Sequence, residues 1–198
     1  MTLFFSHGPA PSGKRISGIV GVAAAGLLAV GLFAAGAPAQ EEVDPLLSPG
    51  LELIDEGRYD EAALFFEETA EVRLDDPDVF NYLGIARYHL GDFKGALDAF
   101  SASLDRDPSY VTVYHNIGVT YHALGLYYLA IENYERALNL IGDDETLFFR
   151  LALSYIALQD WETAREYLES AREMNPYETQ YQVYLEYVSS KLPADTSE

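Results

Sequence analysis

Residues 111–144 read VTVYHNIGVTYHALGLYYLAIENYERALNLIGDD, and the 34-residue blocks on either side carry the same pattern. A step of 34 from Gly125 reaches Gly91 and Gly57 upstream and Gln159 downstream. The same step links Tyr127 to Phe93, Tyr59 and Trp161, and Ala130 to Ala96, Ala62 and Ala164. Tyr134 falls in register with Phe100, Phe66 and Leu168, and Ala137 with Ser103, Thr69 and Ala171. In a chain that is 13% aromatic, four aromatics at one slot arise by chance about three times in ten thousand, and several registers agree. The chain is built from tandem units.

Each unit predicts two amphipathic helices joined by a short turn. Phe80, Leu83, Gly84 and Tyr88 mark the first helix of one unit; Tyr114, Ile117, Gly118 and Tyr121 mark the next; Phe148, Leu151, Ala152 and Tyr155 the one after. Spacings of three and four put such residues on one stripe. Gly84, Gly118 and Ala152, facing Ala96, Ala130 and Ala164, let paired backbones approach while aromatics fill the flanks. Gly91 and Gly125 suit the left-handed residue that closes a helix, and Pro108, Gly142 and Pro176 end the second helices. Each hairpin exposes an apolar face that only a neighbouring hairpin covers. The expected fold class is therefore all-α, a solenoid of stacked antiparallel helix pairs.

Leu83-Gly84, Gly91-Asp92-Phe93, Ala96, Phe100 and Pro108, with Gly118, Tyr121, Gly125, Tyr127, Ala130, Tyr134 and Ala137 in the next unit, resemble the tetratricopeptide (TPR) motif. Leu151-Ala152, Tyr155, Trp161, Ala164, Ala171 and Pro176 carry the resemblance into a third unit. It implies full repeats at 77–110, 111–144 and 145–178 and a degenerate one at about 43–76, where Pro49 takes the usual Leu slot and shortens the first helix. Residues 179–192, with Tyr181, Tyr184, Leu185 and Val188, read as a capping helix over the last exposed face.

The resemblance further implies that the first helix of each pair lines a concave, ligand-binding side. The slots carried over are Asn81, Tyr82, Ile85, Tyr88 and His89; His115, Asn116, Val119 and His122; Phe149, Arg150 and Leu153; and Tyr184 and Tyr187 in the capping helix. Aromatics bury area at low entropic cost, Asn and His hydrogen-bond a peptide backbone, and Arg150 grips a carboxylate. That chemistry suits a peptide or helix of a partner protein laid along a groove. Some TPR grooves hold a terminal carboxylate with Lys, Asn, Asn, Lys and Arg. Here only Asn116 and Arg150 occupy matching slots, with Asn81, Ile85 and Thr146 in place of the other three, so that clamp is not expected.

His115 and His122 share a helix face seven residues apart and His89 ends the preceding first helix, but no i, i+4 pair and no carboxylate accompanies them. They read as polar or stacking contacts, with no metal. No nucleophile elbow or phosphate-cradling glycine loop appears, Ser101, Ser103 and Ser154 read as packing residues, and the expectation is no catalytic residue, no cofactor and no enzyme activity.

Composition narrows the partners. With 32 Asp+Glu against 12 Lys+Arg the formal charge is −20, a poor match for nucleic acid, which is bound through clustered cations. The chain has no cysteine, which excludes disulfides, thiolate metal sites and a lipidated amino-terminal Cys. Lys14 and Arg15 are the only charges before Gln40; they precede the uncharged run 16–37 and the small-x-small site Ala37-Pro38-Ala39. That order describes a signal peptide cleaved after Ala39, or alternatively an uncleaved membrane anchor over 1–39. Either places the rest outside the cytoplasm, periplasmic or secreted in one case and membrane-anchored in the other. A linker is expected over 40–47, the repeat domain over 48–192 and a disordered tail over 193–198. Acidic clusters such as Asp75-Asp76-Asp78 and Glu162, Glu166, Glu169 and Glu173 open helices or lie on outer faces. They solvate the convex surface or steer a basic partner. The function expected is an exported adaptor binding other envelope proteins; the alternative is a structural subunit of a membrane complex held by residues 1–39.

Overall fold

The structure, a computed structural model, describes residues 44–193. The leader expected over 1–39, the linker apart from residues 44–47, and the tail apart from Pro193 lie outside the described residues. Within them the chain forms nine helices and no strand: α1 (Ser48–Asp55), α2 (Tyr59–Val72), α3 (Pro77–His89), α4 (Phe93–Arg106), α5 (Val111–Ala123), α6 (Tyr127–Ile141), α7 (Glu145–Ala157), α8 (Trp161–Met174) and α9 (Thr179–Ser189). Consecutive helices pack as antiparallel neighbours, and α1 is eight residues long, beginning at the Ser48-Pro49 step. No described helix is long and apolar enough to cross a membrane.

The acids set the helix starts. Asp76, Asp92, Asp144 and Asp160 each occupy an N-cap and accept from a backbone N–H of the first turn, at 3.0, 2.9, 2.9 and 3.2 Å. Each cap satisfies a donor that the helix itself leaves open. The ends of the first helices are equally regular. Gly57, Gly91 and Gly125 have φ of 72°, 78° and 74°, and the fourth residue of that register, Gln159, takes φ 61° without being glycine. All four turns close in the same way, as in Gln159 N–H to Ile156 O at 3.0 Å and Asp160 N–H to Tyr155 O at 3.0 Å.

The hairpins interlock where a small residue meets a ring. A Cβ on Gly84 would lie 2.4 Å from Phe100, and one on Gly118 2.4 Å from Tyr134. Gly50, in the same slot of the degenerate unit, would place its Cβ 2.4 Å from Phe65 and 2.5 Å from Phe66. In the last full unit the ring is replaced by Leu168 and the glycine by Ala152, both fully enclosed. A flat ring against the helix backbone thus requires glycine opposite it, whereas the slimmer leucine admits a methyl group.

One register differs from the sequence reading. Tyr121 and Tyr155 align with Arg87, not with Tyr88, and Arg87 reaches outward to bond Glu67 at 2.8 Å and the Gly95 carbonyl at 3.3 Å. Tyr88 turns instead toward His89 and Phe93, with ring centroids 5.4 Å from each. At the carboxyl end α9 buries Tyr181, Leu185 and Val188. The positions of α9 that in other first helices hold the aromatic, small and tyrosine slots are Gln182, Glu186 and Ser189, all exposed. The stack therefore ends on a polar face.

Candidate protein-binding face

The first helices form one row. α3 touches α5 and α5 touches α7, while the second helices make no comparable contact with one another. The row with the tighter spacing is the inner arc, so the odd-numbered helices line the concave side.

Arg150 of α7 lies at the centre of that side. Its charge acts on Tyr88 from α3, His115 and His122 from α5, Tyr134 from α6, and Tyr181 and Tyr184 from α9. Burial pulls its own pKa down from the usual guanidinium value, opposed by the surrounding tyrosine hydroxyls. Next to it, Ser154 donates its hydroxyl proton to the Arg150 carbonyl at 3.0 Å and lies 3.0 Å from His122 Nδ1. With its proton committed, Ser154 accepts from the imidazole, which places hydrogen on His122 Nδ1. Burial, with Arg150 adding, pushes His122 down to about 4. Burial and Arg150 together push His115 down to about 3 against a 3.3 Å contact with Asn116 Oδ1. Both imidazoles are neutral at neutral pH, so the face presents one cation among uncharged rings and hydroxyls.

A polar ladder underlies it. Asn116 Nδ2 donates to Asn81 Oδ1 at 3.0 Å, tying α5 to α3, and both side chains are fully enclosed. Phe149 packs against Tyr181 and Tyr184 with centroids 5.2 and 5.3 Å away, joining α7 to α9.

The residues assigned to the groove from sequence separate into two sets. Asn81, Tyr82, Ile85, His115, Asn116, Val119, Phe149 and Leu153 are buried between helices. Tyr88, His122, Arg150 and Tyr184 are partly exposed, and His89 and Tyr187 are exposed. His89 stacks flat on Tyr59 at 4.2 Å and meets Tyr88 edge-on at 5.4 Å. Tyr187 meets Trp161 edge-on at 6.1 Å and carries Lys191 over its ring at 5.2 Å. The three histidines do not gather into a set of metal ligands among the described residues. The His122–Ser154 pair was not foreseen; its separation of 32, close to one repeat, is the signal that places both residues at the same level of adjacent units. Because the buried Ser154 hydroxyl points at a carbonyl, the pair is arranged for packing, not as base and nucleophile. Chemically, the cluster is suited to an anionic or strongly accepting group, a carboxylate or a peptide carbonyl, beside aromatic walls.

Models of the tetratricopeptide repeat match residues 50–111 and 109–176. Among solved structures, MamA 41-end from Desulfovibrio magneticus RS-1 is 23% identical, with 74% of this chain and 82% of that chain covered and a TM-score of 0.68. The APC/C hetero-tetramer Cut9-Hcn1 is 21% identical over 73% of this chain and 29% of that one, at a TM-score of 0.67. The first TPR of Spaghetti (RPAP3), bound to the HSP90 peptide SRMEEVD, is 22% identical over 58% of this chain and 91% of that one, at 0.56. At such identities the likeness is one of fold. The two family matches run together across nearly the whole helical stack and coincide with its hairpins, and the chain belongs to the tetratricopeptide-repeat family.

Proposed function

We propose that the protein is a non-enzymatic adaptor, exported to the cell envelope, whose concave face holds a peptide or helix of another envelope protein. The observation that carries the reading is the cluster around Arg150. It is a single guanidinium set among Tyr88, His122 and Tyr184, on the inner arc and open enough to meet a ligand. Its chemistry favours a segment presenting a carboxylate or a run of backbone carbonyls beside an apolar or aromatic side chain. A solved TPR domain of the same fold holds a short peptide, which supports this mode of use. The apolar run 16–37 behind Lys14 and Arg15 supports export.

The test is affinity capture from envelope extracts. Substituting Tyr88, His122 and Arg150 together by alanine removes partner capture while the helical stack, followed by circular dichroism, stays folded. Undiminished capture by the folded triple variant would overturn the assignment of the groove. Mass analysis of the mature amino terminus tests the export reading: a chain beginning at Gln40 is a released adaptor, and an intact amino terminus means membrane attachment through 1–39.

A further inference from the structure

On the outer side of the stack an acid and a cation from neighbouring helices are paired in one unit, and the acid recurs in later units without its cation. Between α2 and α3, the Glu67 carboxylate meets the guanidinium of Arg87 at 2.8 Å. Two repeats on, 68 residues along, the same two slots hold Glu135 and Tyr155. The acid is kept and its cation is gone. Between them, in the intermediate unit, the slots hold Ser101 and Tyr121, with no charge to balance. Past the last unit they hold Glu169 and Ser189, with Arg172 of α8 at hand, bonded to Gln182 at 3.3 Å. Among the described residues Glu135 forms no ion pair; the neighbouring cation, Arg136, is bonded to Glu132 at 2.7 Å.

The surroundings of Glu135 are aromatic. Tyr155 and Tyr167 lie stacked, 5.6 Å apart and 13° from parallel, and Phe148 backs Tyr167 at 5.9 Å. Tyr128, seven residues before Glu135 on α6, is 75% exposed. Glu135, Asp160 and Tyr128 all act on the Tyr155 hydroxyl, and Glu135 and Glu166 on that of Tyr167. A ring face beside a carboxylate is a place for a cation, and for a guanidinium above an ammonium, because the flat group stacks and forks at once. The protein uses that contact elsewhere, with the Arg106 guanidinium 3.7 Å above the Phe80 ring.

We propose that the surface of α6, α7 and α8 around Tyr128, Tyr155 and Tyr167, with Glu135 beside them, takes an arginine side chain from a basic segment of a partner protein. The incoming guanidinium restores the pairing that Arg87 supplies to Glu67 two repeats earlier. This surface is separate from the Arg150 cluster of the concave side, whose charge does not act on Tyr155 or Tyr167.

The experiment uses the full chain and a fluorescein-labelled peptide, Arg-Gly-Arg-Gly-Arg with amidated carboxyl end, followed by anisotropy. Lysine and glutamate versions of the peptide serve as comparisons. Saturable binding is expected for the arginine peptide, weaker for the lysine one and absent for the glutamate one. Glu135→Gln, at an exposed site that the fold tolerates, weakens the arginine peptide about fivefold. Glu132→Gln and Glu169→Gln, which remove the same charge elsewhere, change it by less than about twofold. Tyr155→Arg, which supplies the cation internally, abolishes the response, whereas the alanine triple of Tyr88, His122 and Arg150 leaves it intact. Equal weakening by all three Glu→Gln variants, or full binding by Glu135→Gln, would overturn the proposal. The first of those results would mean that the peptide senses only the overall negative field.

Discussion

Adding one methyl group at Gly84 tests the interlock of small residue and ring. The new Cβ would sit 2.4 Å from Phe100 Cε1 and 2.6 Å from Cδ1, about an ångström inside ordinary contact, and Phe100 is fully enclosed, so the ring has nowhere to swing. Overpacking of this kind costs about 1–3 kcal/mol, and the better helix propensity of alanine returns about 1 kcal/mol. Gly84→Ala alone therefore destabilises by up to about 2 kcal/mol. Phe100→Leu alone leaves a void under Gly84 and costs about 1–2 kcal/mol. The double variant recreates the Ala152 and Leu168 pairing of the last full repeat, and its cost falls below that of the two single changes together by about 1–2 kcal/mol. Urea denaturation of the four proteins, followed by far-ultraviolet circular dichroism, measures the cycle. Strictly additive costs would refute the argument, since they would mean that methyl and ring do not compete for one space.

Three further outcomes are expected. Gln159 holds φ 61° with an exposed side chain, so Gln159→Gly relieves a left-handed strain of about 1–2 kcal/mol, partly offset by glycine's larger unfolded-state entropy, and raises the melting temperature by a few degrees; Gly125→Gln lowers it. His115 and His122 take up protons near pH 6.5 in the unfolded chain but only at about 3 and about 4 when folded. Between those limits the unfolded state binds more protons, so stability falls as pH is lowered, by up to about 1.4 kcal/mol per pH unit for each histidine, and denaturation midpoints across pH 4–7 flatten in His122→Gln. Asn116→Ala breaks the link to Asn81 and strands a buried amide, and chemical denaturation should register a loss of about 2–3 kcal/mol, whereas a loss near zero would show that the ladder contributes nothing to holding α3 against α5.

The repeat was readable because it is written in residues whose steric demands are strict. Gly84 with Phe100 and Gly118 with Tyr134 announce a close helix crossing before any coordinate is known. Gly50 plays the same part but was hidden by Pro49 in the adjoining slot, which disguises the register of the first unit. Tyr88 was misaligned by one position because its neighbours Tyr121 and Tyr155 are also tyrosines; only the outward reach of Arg87 separates the two slots. Depth was less legible than direction. Spacing places Asn81, Ile85, Asn116 and Val119 on the inner side of their helices, but how closely α3, α5 and α7 approach decides that these residues are enclosed and that Tyr88, His122 and Arg150 remain reachable. Pairings between units, such as His122 with Ser154, lie beyond single-helix periodicity and emerge only once the offset between adjacent hairpins is fixed.

The hydrophilic outer surface of α9 also bears on how such a molecule could grow. A hairpin appended after Lys191 would meet Glu186 where close approach needs glycine or alanine, and Gln182 where it needs a ring, so it would find nothing to dock on. One inserted before Glu178 would inherit the apolar flank of α8 on one side and hand the same terminator onward on the other. Lengthening by duplication is therefore open within the stack ahead of α9 and closed on the outer face of α9.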